Sequence, residues 1–272
     1  MPRNPSQPLK TALITGASSG IGREFARTFA AKGHDLVITA RRLDRLEELA
    51  DDLMRRHGVR VWPLVADLTD REAPERLFDA TEGKGRPIGV LVNNAGFGVF
   101  RDFNAGRLAD QIESIEVNVV ALTAMTRLFA PEMVRRGAGR ILNVASVAGF
   151  SPVPSAAVYG ATKAYVLSLS EALSAELDGT GVTVTALCPG LTETEFSARA
   201  TGTTGASMWI PAAMKLAASD VAREGYRAAM AGEAVHVNGI AYRLGVEWLR
   251  FQPRVVTRMV GRLLGREMQN GF

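Results

Sequence analysis

Thr11-Ala-Leu-Ile-Thr15, Gly16-Ala-Ser-Ser-Gly20-Ile-Gly22 and Arg23-Glu-Phe-Ala-Arg-Thr-Phe-Ala-Ala31 follow one another without a break. A β-branched apolar run, a glycine-rich turn and a helical apolar period make a strand–turn–helix unit, the setting in which a glycine pattern becomes a phosphate site. Glycine lets the backbone bend sharply and come close to a ligand. The free N–H groups and positive dipole end of the following helix then attract an anion. The spacing is G-x-x-x-G-x-G rather than the more familiar G-x-G-x-x-G, and the alternative is an ordinary glycine turn.

Outward from this unit, Gly33-His34 closes the helix and Asp35–Ala40 reads as a second buried strand, completing a first β-α-β unit. About 20 positions beyond the glycines of a dinucleotide site, an acidic residue binds the adenosine ribose, whereas Arg there accommodates a 2′-phosphate. This chain has Arg41-Arg42 and no carboxylate at that strand end, which favours NADP over NAD. The alternative is a solvated Arg pair opening the helix Leu43–His57. Arg60–Ala66 reads as a third strand, with Asp67 just past its end, and a helix around Arg71–Thr81 follows. Ile88–Val92 is a fourth strand running into Asn93-Asn94-Ala95-Gly96, where amides can tie neighbouring backbones together and Gly96 leaves room for a cofactor. A long helical pattern over Leu108–Arg136 carries Asn118 near its middle, where Asn is unfavoured and needs a bonding reason.

Arg140–Ala145 is a fifth strand with Ser146 directly after it, and Val182–Leu187 is a sixth that leads into Cys188-Pro189-Gly190-Leu-Thr-Glu-Thr194. Between them a helix running to about Leu177 carries Tyr159-Gly-Ala-Thr-Lys163. Tyr and Lys four residues apart share a helix face, so an ammonium can be held near a phenol and pull its pKa from about 10 toward working range. Alone, that pair also fits a surface aromatic beside a solvated Lys. Strands alternating with helices predict a single α/β domain: a Rossmann-type, doubly wound parallel sheet of six to seven strands with helices on both faces.

Thr15-Gly16-x-x-x-Gly20-x-Gly22, Asp67, Asn93-Asn94-Ala95-Gly96, Asn118, Ser146, Tyr159-x-x-x-Lys163 and Pro189-Gly190-x-x-x-Thr194 match in order and spacing. Over roughly residues 10–200 the chain resembles the short-chain dehydrogenase/reductase family. The resemblance implies a nicotinamide cofactor and a Ser146-Tyr159-Lys163-Asn118 catalytic set, with Asn118 positioning a water that refills the proton through Lys163. It implies a cofactor cradle of Gly16, Ser18, Ser19, Gly20, Ile21 and Gly22, with Arg41 and Arg42 at the 2′-phosphate. Asp67 would contact the adenine, Lys163 the nicotinamide ribose, and Thr194 with the backbone near Leu191 the nicotinamide amide. Leu68, Asn94, Ala95, Gly96, Tyr159, Pro189, Gly190 and Thr192 complete the expected cofactor-binding set.

The expected activity is hydride transfer between NADP(H) and a small hydrophobic alcohol or carbonyl compound. Residues 97–100, 149–153, Leu191, Phe196 and Trp209-Ile210, mostly apolar, are the expected pocket. A reductase of acyl groups on a carrier protein and a non-catalytic NADP-binding regulator are the alternatives. Residues 1–9 are expected to be a flexible tail, 195–218 a substrate loop with a capped helix opening at Ser219, and 240–272 a helical extension. A last strand is expected at Val235–Gly239.

Lys and Arg number 32 against 28 Asp and Glu; the last thirty residues hold six Arg and two Glu, so the rest is balanced at 26 each. That balance speaks against a nucleic-acid surface. The Arg-lined apolar stripe of residues 254–266 reads first as a cover for the pocket or a subunit interface, second as a weak membrane-surface contact. One cysteine, Cys188, and no signal-like or spanning apolar run point to a reducing, cytoplasmic setting. The three His (His34, His57, His236) have no metal-ligand grouping, and a homodimer or homotetramer is expected.

Overall fold

The computed structural model describes residues 10–192, 215–253, 255–259 and 261. Its strands are β1 (Thr11–Thr15), β2 (Asp35–Ala40), β3 (Val61–Val65), β4 (Val90–Asn93), β5 (Gly139–Val144), β6 (Val182–Cys188) and β7 (Val235–Val237). All pair in parallel, in the order β3-β2-β1-β4-β5-β6-β7. The helices are α1 (Gly20–Ala31), α2 (Leu43–His57), α3 (Ala73–Thr81), α4 (Leu108–Ile115), α5 (Leu122–Arg136), α6 (Ala157–Glu176), α7 (Ala218–Ala231) and α8 (Ile240–Arg250).

Both sheet faces are covered, which is why the strands are apolar throughout rather than alternating. On one face Ala12, Ile14, Leu36 and Ile38 meet Phe25 and Phe29 of α1, Leu46 and Leu53 of α2, and Val221 and Ala222 of α7. On the other, Leu13, Val37, Leu91 and Ile141 meet Leu77 of α3 and Met125, Phe129 and Met133 of α5. Phe25, Phe29 and Phe129 are fully buried, each burial stabilising by roughly 1.5–3 kcal/mol. The strand order turns back between β1 and β4, which opens a crevice at the carboxyl ends of the strands, the place where such sheets bind ligands.

Several boundaries differ from the sequence expectation. Strand β4 starts at Val90, two residues late, and α3 at Ala73. The pattern over 108–136 is not one regular helix: Glu116–Ala121 between α4 and α5 is wound as a π-helix around Asn118. The whole segment is long and apolar enough by length and composition to cross a bilayer, yet it packs on the sheet with Met125 and Phe129 in the core. Helix α7 begins at Ala218 rather than at a capping Ser219, without a side-chain cap, and Asp220 in its first turn pairs with Arg223 instead. The expected tail 1–9, most of the loop 195–218, Thr194, and the end of the extension lie outside the described residues.

Candidate active site

The glycine turn is held by close backbone approach. Gly16 and Gly20 have φ of 69° and 54°, a region L side chains avoid. A Cβ on Gly22 would collide with the Gly16 carbonyl and the Asn94 amide, so the helix start can approach the turn only with glycine there. Asn94 Nδ2 donates to the Thr15 carbonyl at 2.9 Å, while Thr15 Oγ1 accepts from the N–H groups of Asn94 and Ala95 at 3.0 and 2.9 Å. The end of β4 is thereby stitched to the turn after β1. Ser19 stands at the N-cap of α1 and makes no side-chain cap bond, so no hydroxyl there competes with an anion for the first-turn N–H groups.

Around this turn, Arg42 Nη2 donates to Ser18 Oγ at 3.1 Å. Arg41 lies 3.9 Å from the Asp67 carboxylate, which also accepts from Thr69 N and Oγ1 at 3.0 and 2.9 Å. Both arginines therefore stand at the carboxyl ends of β2 and β3. They differ in partners: Arg42 hydrogen-bonds Ser18 of the glycine turn, whereas Arg41 pairs with Asp67.

Asn93 takes a different role from its neighbour. Its Nδ2 donates to Thr126 Oγ1 and Asn143 Oδ1 at 3.0 and 2.9 Å, and Asn143 Nδ2 donates onward to Ser170 Oγ at 3.0 Å. This buried polar rib joins β4 and β5 to α5 and α6, and its Asn143, Thr126 and Ser170 had no signal in the sequence beyond being polar residues on apolar elements.

On the other side of the crevice, Ser146 follows β5 and its Oγ accepts from Ala148 N at 3.1 Å, fixing the hydroxyl. Its hydroxyl is near enough to the Tyr159 phenol to favour the phenolate. Ser155, shortly before α6, has φ of 64°, unusual for a non-glycine residue, where the chain bends into the helix. Phe100 lies beside the Tyr159 ring, centroids 5.5 Å apart, and Gly98 lets the same segment close over that ring. Gly149 lets the segment after Ser146 lie on the backbone of α6 at Lys163.

Lys163 is 5% exposed, and its Nζ donates to the Val144 carbonyl at 2.7 Å. It lies 5.8 Å from the Tyr159 ring centre. Burial pulls Lys163 down to about 8. Burial pushes the Tyr159 phenol up to about 12, opposed by the neighbouring Ser146 hydroxyl. The expected lowering of the phenol by Lys163 is therefore not supplied by the protein groups: desolvation wins, with the ammonium anchored on the β5 carbonyl. Cys188, at the end of β6, is buried and its thiol is likewise pushed to about 12, a value that keeps it inert.

Asn118 is 1% exposed and has the bonding reason its position demanded. Its Oδ1 accepts from Phe97 N at 3.1 Å, and its Nδ2 donates to Phe97 O at 2.9 Å and Thr162 Oγ1 at 3.0 Å. The side chain thus fastens the segment after β4 to α6, and the π-turn is the distortion that lets it reach. A Cβ on Gly96 would fall 2.8 Å from Asn118 Oδ1 and 3.5 Å from Lys163 Nζ, so these three residues meet at one point.

Beyond β6, Pro189–Thr192 forms a turn, and sequence reasoning missed the residue that holds it. Tyr242 Oη accepts from Leu191 N at 3.1 Å. It lies in α8, where nothing in the local sequence marks it.

Residues 10–204 match the family model for short chain dehydrogenases. Sulfoacetaldehyde reductase 2 of Chromohalobacter salexigens is 43% identical over 192 residues, 70% of this chain and 75% of that protein. A short-chain dehydrogenase from Sphingobium yanoikuyae, solved with NADPH, superposes with a TM-score of 0.80 at 37% identity, covering 89% of this chain and 94% of that one. A bulky-bulky ketone specific alcohol dehydrogenase from Comamonas testosteroni superposes with a TM-score of 0.76 at 31% identity, covering 90% and 93%. The chain belongs to the short-chain dehydrogenase family, a class of oxidoreductases.

Proposed function

We propose that this protein is an NADP(H)-dependent oxidoreductase that interconverts an apolar ketone or aldehyde and its alcohol. The observation that carries the reading is the buried Lys163, 5.8 Å from the Tyr159 ring centre and next to Ser146 at the end of β5, in the same crevice as the glycine turn and the Arg42–Ser18 contact. The donor set fits a dinucleotide phosphate: backbone amides of residues 18–22 for the pyrophosphate, and Ser18, Arg41 and Arg42 for a 2′-phosphate. Asp67 and Leu68 would hold the adenine, Asn94–Gly96 and Lys163 the sugars, and the 189–192 turn the amide, where Thr194 is also expected. The bound nicotinamide would supply or accept the hydride.

The chain's own part is the proton. Ser146 Oγ orients the substrate oxygen and Tyr159 Oη exchanges a proton with it, a role worth about 10²–10⁴ in rate. A phenol near 12 stays protonated across the working range, which suits donation and hence carbonyl reduction. Lys163 holds the cofactor sugar and passes protons onward, and Asn118 keeps Phe97 and α6 in register around it while ordering the water of that relay.

The Phe100 ring against Tyr159 favours an apolar substrate and agrees with the ketone specificity named for the Comamonas protein, whereas the Chromohalobacter protein is named for a small sulfonated aldehyde. Carrier-protein-bound acyl groups and a non-catalytic regulator are the competing readings. A panel of ketones, aldehydes and acyl thioesters with NADPH and NADH separates all of these. Turnover of bulky ketones with NADPH is expected; NADPH binding without turnover of any compound would favour the regulator.

Exposed apolar residues support two contacts. Leu108 and Ile112 of α4 and Tyr165 of α6 are 75%, 47% and 39% exposed, which favours pairing of these helices in a homodimer or homotetramer. A concentration-independent monomer in light scattering would refute it. Ile240, Leu244, Trp248 and Phe251 form an exposed stripe in a segment with a net basic excess and favour weak contact with an anionic membrane surface. Binding to anionic vesicles that is lost in Trp248→Glu tests it. A cytoplasmic setting fits the buried single thiol.

A further inference from the structure

The turn Pro189–Thr192 is fastened from four sides. Val147 N donates to the Pro189 carbonyl at 3.1 Å, Thr192 Oγ1 to the Gly190 carbonyl at 3.1 Å, and Leu216 N to the Leu191 carbonyl at 2.8 Å. The fourth is Tyr242 Oη, which accepts from Leu191 N at 3.1 Å across 51 residues of sequence. Its ring also covers the turn: a Cβ on Gly190 would collide with the Tyr242 ring, so Gly190 is small because Tyr242 is there. Gly239, at φ 81°, bends the chain just before α8 and lies against Tyr242 Cδ2. Three of the four ties are backbone or local. Tyr242 alone among them brings a side chain from the C-terminal segment.

Helix α8 is tied to the proton-transfer side as well. It packs on the segment Val147–Phe150 that follows Ser146. Further on, Gly261 lies so close to the Pro152 carbonyl that a Cβ would stand 2.6 Å from it. The extension therefore touches both the turn after β6 and the loop after Ser146, and among the described residues its hydroxyl contact with the turn comes from Tyr242.

We propose that Tyr242 is a positioning residue for the nicotinamide end of the cofactor, holding the Gly190–Leu191 turn in place by its hydroxyl and its ring. The inference rests on the reading above that this turn meets the nicotinamide amide. It gives the C-terminal extension a role at the reacting end of the site.

The full-length Tyr242→Phe variant keeps the ring and loses the acceptor. Calorimetric titration with NADPH should show a Kd raised roughly 2–10-fold, the loss expected for one hydrogen bond. Titration with 2′-phospho-ADP-ribose, which has the same phosphates and no nicotinamide, should give the wild-type Kd, and the melting temperature should stay near wild type. Tyr242→Leu, which removes the ring too, should weaken NADPH further while still sparing the fragment. Equal weakening of both ligands, or unchanged NADPH binding in Tyr242→Leu, would overturn the proposal. Wild-type NADPH binding and turnover test the proposed function separately, so the two can fail independently.

Discussion

The two ends of the crevice are built from opposite materials. At the phosphate end the working parts are backbone shape and half-solvated charge: Gly16, Gly20 and Gly22 set the turn, and Arg41 and Asp67 are both about half exposed at 3.9 Å. At the proton end the parts are desolvated side chains, with Lys163 and Asn118 at 5% and 1% exposure and Tyr159 packed under Phe100. Exposed charge in high dielectric tunes affinity by modest steps. Desolvation displaces Lys163 to about 8 and Tyr159 to about 12, and on the proposed reading losing either group should remove its step. On the proposed reading, the fold separates a tunable end from an all-or-none end.

The largest expected effect is at Lys163, the residue that the proposed function assigns to both ends. Lys163→Met should lower kcat by at least the 10²–10⁴ typical of lost acid–base machinery, at about that order, and also weaken NADPH. Steady-state kinetics with direct NADPH titration reads both. A variant that loses only affinity would show that the buried ammonium is not part of the proton path.

A smaller effect is expected at the phosphate end. A charge-assisted hydrogen bond is worth roughly 1.5–3 kcal/mol, so NADPH should be preferred over NADH by on the order of 10–100-fold. Arg41→Asp should invert that preference while leaving kcat at saturating cofactor near wild type. Arg42→Ala apportions the effect, because Arg42 holds Ser18 whereas Arg41 faces Asp67. A wild type that prefers NADH, or a ratio unmoved by Arg41→Asp, would return the Arg pair to a solvated helix start.

The smallest effect is a bend in a pH profile. Lys163 is pulled from its usual 10.5 to about 8, so it loses its charge as pH rises through about 8, while Tyr159 stays protonated until about 12. In the reductive direction kcat/KM should therefore fall above about pH 8. That limb should be absent in the slower Lys163→Arg, whose guanidinium does not titrate there. A wild-type profile flat from pH 6 to 10 would contradict the burial assigned to Lys163.

What the sequence shows of this contrast follows the same division. Backbone-driven features announce themselves: positive φ and close approach leave glycines at fixed spacing, and continuous apolar runs give a parallel sheet buried on both faces, so the strands and the turn at Gly16–Gly22 were legible. Desolvated side chains announce only their identity. Tyr159 and Lys163 could be placed on one helix face, but not the sign of their displacement, because that depends on Val144, Phe100 and Ser146 arriving from three other elements. Asn118 signalled a bonding reason without revealing the π-turn that satisfies it, and Tyr242, a tyrosine in an amphipathic helix, carried no signal until Gly190 was seen beneath its ring.

The separation itself is tested most directly by Tyr159→Phe, which removes one hydroxyl from the desolvated end and nothing from the phosphate end. NADPH affinity and kcat should be measured on the same preparation, with a ketone that the wild type reduces. The account predicts a Kd for NADPH close to wild type with kcat lowered by at least about 10²-fold. A kcat near wild type, or affinity and kcat falling together by similar factors, would contradict it.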